Sequence, residues 1–459
     1  VPEKVISDNI AAGLLHLDLM TYGEEPDGPA APSIGEYCPI GTESAPIIQV
    51  YDSLGLHQLA KRSIDHFLEK QHEDGFIQNF GGYMLETGAV LWTIGEHYRY
   101  TRDIAWAKGI EDKVLKSCRY LKDWMEQNKT EQLRGCGYGM LRGKVADPED
   151  EERVFMLNGY AYLGLSRAAE LLSDLDSPHA SDVSALAQEL KGYIRDGFQK
   201  ALSDAVAVPL SNGMWCPAVS PWVGIDGPVC LHMNLDQAFT HGCINLRDSL
   251  LGPMHLVFQE VLAPDEPAVD MLLNYHAELF FTNNTAYSQP YYSVHPWVHL
   301  KRGEVKPFLK AYYNTLAGMQ DRETKTFLEH SFTVTSPHKT HEEAWYLMQT
   351  RWMLYMEEAD TLKLFPGVPE AWFECKKAIA ADDVGSYFGG LSFRLVMQGG
   401  DSAELWVHCE RPEKLREVMV RISPPGKEII ACDQAEIVES NWIKFALEAG
   451  EKRVKVYLK

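Results

Sequence analysis

The sequence predicts a mainly α protein with a β appendage. The expected architecture is a closed ring of six helical hairpins, an (α/α)6 toroid, followed by a small antiparallel β-sandwich. Three observations predict it. Twelve stretches of helical periodicity fill residues 1–360. Tight connections alternate with long ones, as helical hairpins require. Beyond residue 364 the period changes to two, in short runs broken by Gly, Pro, Asp and Asn. The division follows as 1–363 for the helical domain and 364–459 for the sandwich.

The helices are expected near 7–20, 44–55, 56–71, 84–101, 104–128, 154–173, 177–205, 253–262, 266–281, 290–301, 304–319 and 341–358. The second and third are parted only at Gly55, and Tyr100–Asp103 turns the fourth into the fifth. Ser173–Ser177 joins the sixth to the seventh, where Ser181 and Asp182 are early-turn residues. Asp265 precedes the ninth helix and Gly303 separates the tenth from the eleventh. The connections 21–43, 72–83, 129–153, 206–252, 282–289 and 320–340 are long. Residues 206–252 carry Gly, Pro and Trp with little periodicity and leave room for a hairpin. In such a ring the even-numbered helices are inner ones, nearly apolar all round. The long loops then gather at their N-terminal ends. Helix 84–101 fits, being apolar on most of its circumference with Glu86 at its entrance. After the Pro/Gly stretch "LFPGVPEAWF" come "LSFRLVMQ", "AELWVHCE", "REVMVRIS", "KEIIAC", "WIKFAL" and "RVKVYL", the alternating strands of a sandwich.

Bulk properties narrow the function. A chain of 459 residues is too long for one ordinary core. Its formal net charge of −22 argues against nucleic acid as a partner. No apolar run approaches the roughly 18–20 residues of a membrane-spanning helix. Nine cysteines form no CxxC pair, so free thiols and a reducing, cytoplasmic setting are expected. The chain begins at Val1 without Met, which reads as a trimmed or excised product. No HExxH, Walker or GxGxxG pattern is present, and neither a metal nor another cofactor is expected. The 11 Trp and 21 Tyr suit a carbohydrate partner, whose C–H faces stack on aromatic rings. The sequence is silent on oligomeric state.

Three segments resemble the six-hairpin, (α/α)6-barrel glycosidases. "DGFIQNFGGYMLETGAVLWTIGEHYRYTRD" is similar to their loop into an inner helix. "DPEDEERVFMLNGYAYLGL" is similar to the entrance of the next. "HKTHEEAWYLMQTRWMLYMEEADTLKLFPGVPEAWF" is similar to the last inner helix and its exit to the sandwich. The resemblance implies a glycoside hydrolase. The same barrel also hosts lyases and epimerases, so fold alone does not fix the reaction. Glycosidases of this group often carry an N-terminal sandwich. None precedes the helices here, which reads as an excised fragment or a departure from that layout.

Glycoside hydrolysis needs two carboxyl groups flanking the scissile bond. In a helical barrel they belong on the long loops or first turns of inner helices. Four acids are candidates for catalysis: Glu329, Glu343, Glu86 and Asp147. Asp147 sits in the charge run "DPEDEER", in the connection where related glycosidases keep a general acid. Glu329 lies in the connection after the eleventh helix, where they often keep the base. Burial near Phe327 and Trp345 would raise a carboxyl pKa, and Lys339 would lower one. Each acid also has a bland reading. Glu86 and Glu43 complement a helix dipole, Glu343 closes a capping box with Thr340, Glu329 makes a loop salt bridge, and the run at Asp147 is solvated. Substrate-binding candidates are Glu43, Asn79, Tyr83, Asn158, Trp215, Tyr291, Tyr292, His295, Lys339 and His341.

The first reading is hydrolysis of a terminal glycosidic bond by paired carboxylates. The alternatives are a polysaccharide lyase or sugar epimerase, with His241, Tyr291, His295 or His341 as base, and a non-catalytic glycan-binding protein.

Overall fold

The structure is a computed structural model that describes residues 1–145, 151–227, 252–277, 294–329, 336–374, 376–447 and 450–459. Among these residues it holds twelve α-helices, one for each expected from the sequence. They are α1 (Lys4–Leu19), α2 (Gly41–Ser53), α3 (His57–Leu68), α4 (Glu86–Thr101), α5 (Ile104–Gln127), α6 (Phe155–Asp174), α7 (Ala180–Asp204), α8 (His255–Phe258), α9 (Pro267–Ala277), α10 (His295–Lys301), α11 (Val305–Met319) and α12 (Thr340–Leu354).

The even and odd helices differ as their composition requires. Every residue of α2 and α12 is buried, and α4 is buried except at Arg99 and Thr101. Helices α3, α5, α7 and α11 bury one face and expose the other. The even helices pack on one another in sequence: α2 on α4, α4 on α6, α6 on α8, α8 on α10, α10 on α12, and α12 back on α2. Helices α4 and α6 approach closely because glycines face each other. A Cβ on Gly164 would lie 2.3 Å from the Gly88 carbonyl oxygen, and one on Gly88 would meet the Ala161 nitrogen at 2.7 Å. Tight turns are chemically marked. Arg102 takes a left-handed conformation after α4, and the Asp103 carboxylate accepts the Trp106 N–H at 2.9 Å to cap α5.

Two hairpins decorate the long connections. Strands β1 (Thr21–Gly23) and β2 (Ala30–Pro32) pair after α1. Strands β3 (Ala207–Pro209) and β4 (Trp215–Pro217) pair in the region left open as a hairpin.

The last helix is shorter than its periodicity suggests. It stops at Leu354, and Tyr355 is already extended (φ −153°, ψ 144°). Residues expected to finish the helix form β5 (Tyr355–Glu358), which turns at Ala359 into β6 (Thr361–Leu364). The remaining strands are β7 (Ile379–Ser386), β8 (Gly389–Gln398), β9 (Ser402–Cys409), β10 (Glu417–Arg421), β11 (Ile429–Cys432), β12 (Glu436–Glu439), β13 (Trp442–Phe445) and β14 (Glu451–Leu458). They make two five-stranded sheets, ordered β12-β13-β10-β6-β5 and β11-β14-β9-β8-β7. The second is antiparallel throughout. The first contains one parallel pair, β6 with β10, so the expectation of purely antiparallel strands is corrected there. Phe393 of β8 packs its ring against Tyr355 and Phe365.

The C-terminal halves of α4 and α6 are tied together by the buried pair of Glu96 and Arg167. Arg167 of α6 donates to Glu96 of α4 at 2.7 Å and to Glu260 after α8 at 3.0 Å, and the Tyr387 hydroxyl donates to Glu96. Burial alone would raise the Glu96 carboxyl, but Arg167 and Arg99 hold it down at about 2. Among the described residues no helix is long and apolar enough to cross a membrane. Cys38, Cys118, Cys136, Cys216, Cys409 and Cys432 are free.

Candidate active site

The N-terminal ends of α2, α4 and α12 meet residues 20–40 and 69–85 and, of the last long connection, the described residues 320–329 and 336–339. Local pairing sets the geometry. The Lys339 N–H donates to the Phe327 carbonyl at 2.7 Å and the Glu329 N–H to the Ser336 carbonyl at 3.2 Å. These bonds bring the Glu329 and Lys339 side chains together. Gly35, in a left-handed conformation, lets the connection before α2 run against the backbone of His338. The turn it makes, with Ile34 and Tyr37 bridged, carries Tyr37 to the same place.

The result is a chain of charge-assisted contacts. Lys339 Nζ lies 3.1 Å from Glu329 Oε1 and 3.3 Å from Glu43 Oε2. The two carboxylates therefore share one ammonium group. Lys339 also stands 4.2 Å over the ring of Tyr37, whose hydroxyl donates to Glu329 Oε2 at 3.0 Å. His341 Nδ1 approaches Glu43 Oε2 at 3.3 Å, and its Nε2 approaches Glu342 Oε1 at 3.4 Å. Glu329, Lys339, His341 and Glu342 are buried, and Glu43 keeps a 12% exposed side chain in the first turn of α2. Buried Tyr160 of α6 completes the wall. Burial, then the charge of Glu43, raise its phenol pKa.

Glu86 lies beside this group but is committed differently. Its Oε2 accepts the Gly41 N–H at 2.8 Å, and its Oε1 accepts the N–H groups of Asn79 at 3.0 Å and Phe80 at 2.9 Å. It thereby ties the entrance of α2 to the connection before its own helix. Burial pushes the carboxyl up to about 7, against the downward pull of the three amides. Asn79 adds a bond from Nδ2 to the Pro39 carbonyl at 2.6 Å. Tyr83 packs its ring on Phe80 with centroids 4.9 Å apart.

Other candidates lie elsewhere. Glu343 faces α1, where Oε1 meets His16 Nδ1 at 2.7 Å and Oε2 meets His338 Nε2 at 3.3 Å. Its capping box is not formed: the N-cap position is Lys339, Thr340 is already the first helical residue, and no side chain caps the helix. Asn158 is spent on backbone, accepting the Leu141 N–H at 2.7 Å and donating to the carbonyls of Leu141 and Val154. His295 Nε2 lies 2.5 Å from His276 Nδ1 in a buried pair. Trp215 is 68% exposed on β4. Asp147, His241, Tyr291 and Tyr292 lie outside the described residues.

Tyr37, Tyr160 and Glu342 belong to this neighbourhood although none is among the candidates chosen from the sequence. Only Tyr37 carries a signal there, standing six residues before Glu43 in the same connection.

No protein-family model matches the chain, and no curated protein matches it in sequence. Solved structures do share its fold. The crystal structure of a Streptomyces avermitilis α-L-rhamnosidase complexed with L-rhamnose matches with TM-score 0.59 at 10% identity. The match covers 99% of this chain but 42% of that one, so this chain spans about two fifths of the rhamnosidase. A glycosidase variant in complex with glucose matches with TM-score 0.52 at 11% identity, over 76% of this chain and 98% of that one. The wild-type form of a glycosidase gives TM-score 0.50 at 11% identity over the same shares. The chain thus has a fold similar to that of these glycosidase structures.

Proposed function

We propose that the chain is an (α/α)6-toroid glycoside hydrolase that cleaves a terminal glycosidic bond, with Glu43 and Glu329 as its acid–base pair. The cycle of contacts among the even helices supports the closed ring. One observation carries the assignment of the pair: these two carboxylates share a single ammonium, that of Lys339. Hydrolysis asks one carboxyl to protonate the leaving oxygen and a carboxylate opposite it to activate water or attack carbon. Lys339 places one ammonium within 3.3 Å of both carboxylates. Glu86 braces the wall through its three amide contacts, and Glu343 lies outside the pair. Lys339, His341, Tyr37 and Tyr160 offer polar contacts to sugar hydroxyls. Asn79 and Tyr83 shape the adjoining connection. Asp147, Tyr291 and Tyr292 are kept as candidates on sequence grounds.

The test is turnover of a panel of aryl glycosides. α-L-Rhamnosides come first, because the likeness to the rhamnosidase spans nearly the whole chain. Glu43→Gln and Glu329→Gln should each lower kcat by about a thousandfold or more while the proteins stay folded. Glu343→Gln should retain most of the activity. Full turnover in either Glu43→Gln or Glu329→Gln would remove the pair. An ultraviolet-absorbing unsaturated product would replace hydrolysis by elimination.

A further inference from the structure

The connection between α1 and α12 carries chemistry that the hydrolase reading leaves unused. His16 lies in the last turn of α1, His338 just before α12, and Glu343 in the first turn of α12. The Glu343 carboxylate is 1% exposed. Here each of its oxygens meets a different imidazole, at 2.7 and 3.3 Å, and the two rings stand edge to face with centroids 5.0 Å apart. All three ligand atoms lie within 4.8 Å of one another. Two donors on one zinc ion stand about 3.4–4 Å apart, so a shift of about an ångström would gather them.

We propose that His16, His338 and Glu343 form a binding site for a divalent transition-metal ion, with Zn2+ as the reference occupant. Two imidazoles and one carboxylate are a donor set suited to borderline ions of the Zn2+, Co2+ and Ni2+ kind and poorly suited to Mg2+ or Ca2+, which demand oxygen. The His16 and His338 side chains are 15% and 23% exposed, so the site can be reached from solvent. The three ligands come from an outer helix, a connection and an inner helix. An ion there clamps α1 onto α12 at the residue next to Lys339. The site is independent of the hydrolase reading, because none of its ligands belongs to the proposed pair. Sequence spacing hides it, since His16 and Glu343 are 327 positions apart.

The test uses the full chain, stripped with chelator and titrated calorimetrically with Zn2+, with Co2+ as spectroscopic probe and Mg2+ as control. One equivalent of Zn2+ should bind and raise the Tm, and Co2+ should develop visible absorption bands. Mg2+ should do neither. Replacing outer-shell partners of metal sites already costs about 10–100-fold in affinity. His16→Ala and His338→Ala should therefore each weaken Zn2+ binding by about a hundredfold or more. His338 lies in a connection, so His338→Ala keeps the test valid should His16→Ala disturb α1. Absence of saturable binding would overturn the proposal and leave a metal-free ion pair. So would binding that survives both changes, which would put the ion at other residues such as His276 and His295.

Discussion

Replacing Glu86 by glutamine separates two forces that oppose each other at one buried carboxyl. Burial raises its pKa to about 7 from an ordinary 4.5, although three backbone amides point at its oxygens. A carboxyl whose pKa is higher in the folded state contributes stability that is fully present below the unfolded pKa. That contribution is lost as pH rises through the folded one. The window is therefore about pH 4.5 to 7. At 1.36 kcal/mol per pKa unit, the loss across it is about 3 kcal/mol. The Glu86→Gln side chain cannot titrate, so the variant lacks this slope. It carries instead a constant cost of about 1–3 kcal/mol, because its NH2 group faces an amide that the carboxylate accepted. Urea unfolding of both proteins from pH 4.5 to 8 is the assay. Wild-type stability minus variant stability should fall by about 3 kcal/mol as pH rises through the window. A difference that stays flat or rises would refute the reasoning. It would mean that the three amides, with the positive end of α4, outweigh burial and keep Glu86 ionised.

Two further outcomes test the frame around the site. Arg351→Met leaves Glu357 buried without the bidentate guanidinium that now holds it at 2.5 Å, and should cost about 3–5 kcal/mol in urea unfolding. Gly164→Ala drives a methyl group against the Gly88 carbonyl and should lower the Tm, with a loss of at least about 2 kcal/mol.

Much of the helical layout can be read from residues alone, for a physical reason. Helices that bury every side, such as α2 and α12, carry no solvated polar face and keep apolar residues on all sides of their middle turns, and a turn such as Arg102-Asp103 leaves a local mark. The end of α12 is not legible. In "MLYMEEADTLKL" the apolar residues satisfy both the helical and the strand period, and the decision is made by the pairing of β5 with β6 and of β6 with β10. The acids pose the same difficulty. Glu43, Glu86 and Glu343 are all first-turn carboxylates on inner helices, indistinguishable by composition. Their neighbours come from distant elements: Lys339 for Glu43, the Gly41 amide for Glu86, His16 for Glu343. Long-range contact, which local pattern cannot encode, separates a charge facing another charge from one spent on backbone. Asn158 illustrates the point, since a polar residue at an inner-helix entrance proves to be a clamp on the connection before it.

The strand order of the first sheet constrains how the protein can be cut. β5 leaves α12 without a loop, and β6 lies between β5 and β10, the latter drawn from more than fifty residues further along. A graft that exchanged the C-terminal sheets at residue 364 would strip β10 of its parallel neighbour and leave two orphan strands on the helical piece. A transplantable unit has to begin at Tyr355, where the backbone changes from helical to extended.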